Sequence, residues 1–160
     1  MYTPEEYDKV VNKLRMFFRE AKGYIEVDGQ KDLSILSACE NPHSLVKFKF
    51  NSLEWSQPQT NQMRLEHYLL NNPEWEGCYS ITTSYRDERD EDMIPSRHLR
   101  SFTMFEVESH GDYKTLLKTL TELLTFLGFE EEPIHLEYQT IANMFKSPTV
   151  EAEHEMKIGE

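Results

Sequence analysis

The stretch CYSITTSYRDERDEDMIPSRHLRSFTMFEVESH, residues 78–110, decides the fold. Its two ends are rich in β-branched, aromatic and small residues over the length of a strand, and charged residues fill the space between them. Residues 78–88 and 101–110 are therefore predicted as the two clearest strands of an antiparallel sheet. Alternation sorts their side chains by face. Tyr79, Ile81, Thr83 and Tyr85 share one face of the first strand, with Ser80, Thr82, Ser84, Arg86 and Glu88 on the other. On the second strand Thr103, Phe105 and Val107 oppose Phe102, Met104, Glu106 and Glu108. Such a polar face can simply meet water. The grouping of Arg86, Glu88 and Phe102 also suits a nucleotide: a guanidinium for phosphate, a carboxylate for an exocyclic amine and a ring to stack on the base. Arg97 and His98, at the far end of the loop, are placed to reach a more distal phosphate.

Working outward, Thr3-Pro4-Glu5-Glu6 is a helix start, with an N-cap threonine, proline at the first helical position and a capping-box glutamate. Tyr7, Val10, Val11, Leu14, Phe17, Phe18 and Ala21 follow at helical spacing, and Gly23 ends the helix. Residues 24–27 read as a short strand, residues 45–50 as a half-buried strand, and residues 53–56 as its pairing partner. A helix is predicted over 60–71. Asp112 can cap another over 113–127, whose apolar stripe runs from Leu116 to Leu127, and Gly128 stops it. A short helix around 138–145 and a polar helical tail complete the chain. Helices flanking an antiparallel sheet make the class α+β. Neither GxGxxG nor GxxxxGK[ST] occurs, which excludes the Rossmann and P-loop phosphate cradles.

At 160 residues the chain is expected to be one domain. No apolar run approaches the ~20 residues of a membrane span, and the N-terminus lacks the pattern of a signal peptide, so a cytoplasmic protein with no membrane partner is expected. Cys39 and Cys78 have neither zinc spacing nor a disulfide framework. His43, His67, His110, His135 and His154 have no ligand spacing either, so no metal site is expected within the chain. The net charge of −12 argues against general attraction to nucleic acid but leaves room for one basic pocket.

The segment YRDE…SRHLRSFTMFEVE resembles motif 2 of the class II aminoacyl-tRNA synthetases. Its Arg-His-Leu-x-x-Phe-Thr form is similar to that of the aspartate, asparagine and lysine subgroup. GYIEV, residues 23–27, resembles the end of motif 1, which lies at the dimer interface. LEWSQPQTNQMRLEHYLL, residues 53–70, resembles the subgroup's Ser-Pro-Gln segment. The resemblance covers roughly residues 5–128 and implies a partial catalytic core that forms an aminoacyl-adenylate from ATP, of aspartate or asparagine type. Carried over by position, Arg86 binds the α-phosphate and stabilises charge during attack, an electrostatic role. Glu88 accepts from the adenine amine, Arg97 or His98 contacts the γ-phosphate, and Phe102 stacks under adenine. Gln59 faces the amino acid, and Glu40 is a weaker candidate for its ammonium group. ATP and Mg2+ are the implied cofactors, with metal ligands expected beyond the C-terminus. A homodimer is implied, with tRNA as a further partner.

The sequence departs from the pattern in several places. Motif 1 has no closing proline, the motif 2 loop is longer and carries Glu91 and Asp92, and Ser101 stands where a glutamate is usual. Motif 3 and an anticodon-binding domain are missing, so a fragment or split chain is expected. Three functions follow: tRNA charging, an asparagine-synthetase-like or other adenylate-forming ligase with a different acceptor, or a non-catalytic dimerisation module.

Overall fold

The computed structural model describes residues 3–29, 42–90, 93, 98–130 and 134–158. The candidates Glu40 and Arg97 lie outside the described residues. The chain divides into two compact units, Met1–Thr119 and Leu120–Glu160.

In the first unit, α1 (Pro4–Arg15) begins at the predicted capping box: the Thr3 hydroxyl accepts from Glu6 N, and Glu6 accepts from Thr3 N in return. The helix does not stay α to its end. Residues Met16–Ala21 form a π-helical continuation. Gly23, at φ +71°, then closes it, with Gly23 N donating to Arg19 O and Tyr24 N to Phe18 O. Only glycine takes that left-handed turn without strain.

The chain then enters β1 (Ile25–Glu26). After a 3-10 turn at Pro42–Ser44, β2 (Lys47–Phe50) and β3 (Leu53–Ser56) form a separate antiparallel hairpin in the predicted pairing. Its two-residue turn, Asn51-Ser52, has positive φ at both positions, as the twist of a tight hairpin requires. Helix α2 (Gln62–Asn71) follows, then β4 (Gly77–Tyr85), β5 (Ser101–Ser109) and α3 (Tyr113–Leu127). Asp112 caps α3 through Thr115 N, as expected.

The main sheet runs β1–β4–β5. The α+β class holds, but the sheet is mixed rather than wholly antiparallel, because β1 lies parallel to β4. On the odd face the Tyr79 and Phe105 rings stack at 5.0 Å, and Phe18, from the π-helical turn, stacks on Phe105 at 5.4 Å. On the even face Leu65 and Leu69 of α2 pack with Cys78. Burying each large apolar side chain here contributes about 1.5–3 kcal/mol. Helix α3 buries none of its residues: Leu116, Leu120 and Leu124 of its stripe are exposed.

In the second unit α4 (Tyr138–Met144) and α5 (Ala152–Ile158) are joined by a short turn. The His154 ring stacks on Phe145 at 4.5 Å, and the Tyr138 hydroxyl accepts from Val150 N.

Candidate active site

The register of β4 and β5 settles which side chains share a face. Cys78, Ser80, Thr82 and Ser84 stand opposite Glu108, Glu106, Met104 and Phe102 in turn. The predicted polar faces are therefore one face. Its β4 half is shielded from water, for Ser80 and Ser84 are fully buried and Thr82 nearly so, while Phe102, Met104, Glu106 and Glu108 on β5 are half-buried.

Strand β4 ends at Tyr85, so Arg86 and Glu88 sit just beyond it rather than on it. Alternation alone no longer fixes where they point. Hydrogen bonds do so for Arg86: its backbone N donates to Arg100 O at 2.9 Å, and its Nε donates to Ser84 Oγ at 3.2 Å. Ser84 is the cross-strand partner of Phe102, so this bond draws the guanidinium toward the sheet face that carries Phe102. Among the described residues no carboxylate pairs with Arg86. Glu88 lies 3.8 Å from His98 Nδ1.

Arg100 is a further residue of the site, beyond those the sequence points to. Its Nη1 donates to Glu88 O at 2.6 Å and its Nη2 to Asp90 Oδ1 at 2.5 Å, so it ties the start of the loop to its end. The signal was there: an arginine at the closing edge of a loop that opens with Asp87 and Asp90.

Gln59 arrives from the other side. Pro58 O accepts from Tyr85 N at 2.9 Å, which docks the segment 57–61 against the end of β4. The Gln59 side chain is fully buried, and its Nε2 donates to Ser44 Oγ at 2.9 Å. Ser44 O in turn accepts from Asp87 N at 2.8 Å. Gln59 Oε1 is buried with no hydrogen-bond partner among the described residues. A buried amide oxygen left so costs about 1–3 kcal/mol, which a bound donor would offset.

Next to it, Glu106 accepts from the Thr60 hydroxyl and from Asn61 N, the latter at 2.8 and 3.0 Å. Asn61 Nδ2 donates to Ser80 Oγ at 2.7 Å. Farther along β5, burial and the nearby Glu66 and Glu106 push the Glu108 carboxyl above the usual carboxylate range. Burial, with a contribution from Glu108, pushes the Cys78 thiol up to about 11, which keeps it protonated and inert. Among the described residues no three His, Cys, Asp or Glu side chains gather as metal ligands.

The structure thus brings Gln59, Arg86, Glu88, His98 and Phe102 to one end of the β4–β5 pair. An asparaginyl-tRNA synthetase of Pyrococcus horikoshii, solved with asparaginyl-adenylate, matches with a TM-score of 0.60 and 28% sequence identity over 74% of this chain. The fold is that of part of a class II aminoacyl-tRNA synthetase. An asparaginyl-tRNA synthetase of Entamoeba histolytica matches at TM-score 0.55 and 19% identity over 72% of the chain, which shows the class II fold alone. The chain spans about a quarter of the length of these synthetases, 26% and 25% respectively. No protein-family model and no curated protein matches the sequence. Among the described residues no helix is long and apolar enough to cross a membrane.

Proposed function

We propose that this chain contributes to an ATP-dependent amino-acid activation site that forms an aminoacyl-adenylate of asparagine or aspartate type for ligation to tRNA. The observation that carries the reading is the Arg86 guanidinium, held by Ser84 on the sheet face that also carries Phe102, with no carboxylate partner among the described residues. A guanidinium so placed is available to a phosphate.

In the reaction an amino-acid carboxylate oxygen attacks the α-phosphorus. The bond to the bridging oxygen breaks and pyrophosphate leaves with that electron pair. Negative charge builds on the phosphorus oxygens, and Arg86, already oriented, stabilises it without reorganising. Phe102 supplies a ring for adenine, and Glu88 an acceptor for its exocyclic amine. His98, beside Glu88, reaches toward the distal phosphates. The unpartnered Gln59 Oε1 is suited to a donor on the amino acid, such as its ammonium group. A homodimer through α1 belongs to the same reading, supported by the exposed Val10 beside a cavity lined by Glu6, Tyr7, Val11 and Thr103.

ATP–pyrophosphate exchange across the amino acids tests the activation, and transfer of label to tRNA tests the acceptor. Exchange with asparagine or aspartate is expected. Exchange without tRNA charging would move the reading to a ligase with another acceptor. No exchange with any amino acid would contradict activation.

A further inference from the structure

We propose that Glu106 is a positioning residue that fixes the amino-acid side of the site, by clamping the segment that carries Gln59. The inference rests on the reading above that Gln59 faces the amino acid.

Glu106 lies in the middle of β5, directly across from Ser80. One of its carboxylate oxygens accepts from both the Thr60 hydroxyl and Asn61 N, and the other accepts from Asn61 N as well. Ser80, its cross-strand partner, accepts from the Asn61 side chain. One cross-strand pair therefore holds Asn61 by backbone and side chain together. Thr60 Oγ1 also accepts from Gln62 N, so the chain of hydrogen bonds continues into the first residue of α2.

Two physical consequences follow. The start of α2 has backbone donors with no partner inside the helix, and Asn61 makes no side-chain cap. A carboxylate from the sheet satisfies the approach to that end, where negative charge is favoured. Gln59 is also held between two anchors: Pro58 O is fixed to Tyr85 N on one side, and Thr60 and Asn61 are fixed to Glu106 on the other. Its buried amide has little freedom to turn, so Oε1 is held in one place for an incoming donor.

The clamp needs a carboxylate. Glutamine has one acceptor oxygen, and its NH2 would be turned toward Asn61 N–H or the Thr60 hydroxyl, donor against donor. Arg86 and Phe102 depend on other anchors, Ser84 Oγ and the strand ladder. Loss of the clamp should therefore weaken recognition of the amino-acid moiety and spare the nucleotide. A merely structural residue would weaken both alike.

The test uses the full chain and the Glu106→Gln variant. Calorimetry compares ATP with asparaginyl-sulfamoyl-adenosine, an unreactive adenylate analogue, and hydrogen exchange follows the Asn61 amide. The expected result is ATP affinity within about twofold of wild type, with affinity for the analogue reduced about 10- to 100-fold, the equivalent of one charged hydrogen-bond contact. Asn61 exchange should quicken about tenfold or more. Glu106→Asp, which keeps both acceptor oxygens, should recover part of the analogue affinity. Equal loss for both ligands, or unchanged affinity for both, would overturn the proposal, as would unchanged Asn61 exchange. If the wild-type chain binds neither ligand, the activation reading fails, while Asn61 exchange still decides the clamp. If Glu106→Gln does not fold, Thr60→Val removes the hydroxyl at constant shape, and with it the contacts to Glu106 and to Gln62 N. It should show the same split between ligands at about three- to tenfold, and no split would overturn the proposal.

Discussion

Arg86 draws its proposed role from its neighbours. The fully buried Ser84 accepts from its Nε, and that single bond turns the guanidinium toward the sheet face that carries Phe102. Arg86→Ala is expected to lower ATP–pyrophosphate exchange by about 10²–10³-fold in a chain competent for exchange, the scale for one preorganised charge donor. Ser84→Ala keeps the charge but frees its direction, so a smaller loss of about 3- to 10-fold is expected, set by one neutral hydrogen bond. Equal losses in the two variants would mean that Ser84 does more than orient. The alternation of the two strands made the shared face of Ser84 and Phe102 legible, as their pairing shows. What alternation could not show was the end of β4 at Tyr85, which hands the placement of Arg86 to hydrogen bonds with Ser84 and Arg100. Nor could it show that serines and a threonine face a buried layer, since burial depends on the docking of segment 57–61 from far along the chain.

Among the elements, β1 and α1 are joined by one ionic cluster. Glu26 accepts from Arg15 at 2.8 Å, from Arg19, and from the Tyr79 hydroxyl at 3.0 Å. The Arg15 hydrogen bond, helped by Tyr79 and opposed by burial, holds the Glu26 carboxyl below its ordinary value of 4.5. A lowered folded value means that the unfolded chain binds the proton more readily. The stabilisation is thus complete above about pH 4.5 and is lost as pH falls through the folded value. Glu26→Gln should cost about 1–2 kcal/mol at pH 7, after allowance for the partly exposed arginines, and the gap to wild type should close in acid. Thermal melts at pH 7 and pH 3 check it. Gly77, the first residue of β4, has a different constraint, because an added Cβ would stand 2.6 Å from the buried Tyr24 ring. Gly77→Ala should destabilise by about 1–3 kcal/mol, read from a denaturant midpoint. The capping box, the hairpin and α3 were readable from local residues. The π-helical turn at Met16–Ala21 was not, because its Phe17 and Phe18 fit an α-helical stripe equally well.

At the scale of the molecule, the even face of the sheet is a polar layer, buried on β4 and half-buried on β5, whose charge is not fully offset. Burial, with Glu66 and Glu106 nearby, makes the Glu108 carboxyl hold its proton more tightly in the folded chain than in the unfolded one. That contribution is full at pH below the unfolded carboxylate value and is lost as pH rises through the folded one. Glu108→Gln should therefore raise the melting temperature at pH 7 and change it little at pH 4. An α+β class was legible because two strands and three helices each carried local signals. The parallel pairing of β1 with β4 was not, since Ile25 and Glu26 give too short a run to announce a partner.

The central claim is that the end of the β4–β5 pair takes an aminoacyl-adenylate through Arg86. Equilibrium binding of asparaginyl- and aspartyl-sulfamoyl-adenosine to wild type and Arg86→Ala tests it most directly. Saturable binding of one analogue, displaced by ATP and weakened at least about tenfold in the variant, is predicted from loss of one charge-assisted contact. Affinity unchanged in Arg86→Ala, or no binding of either analogue to the wild-type chain, would contradict the claim.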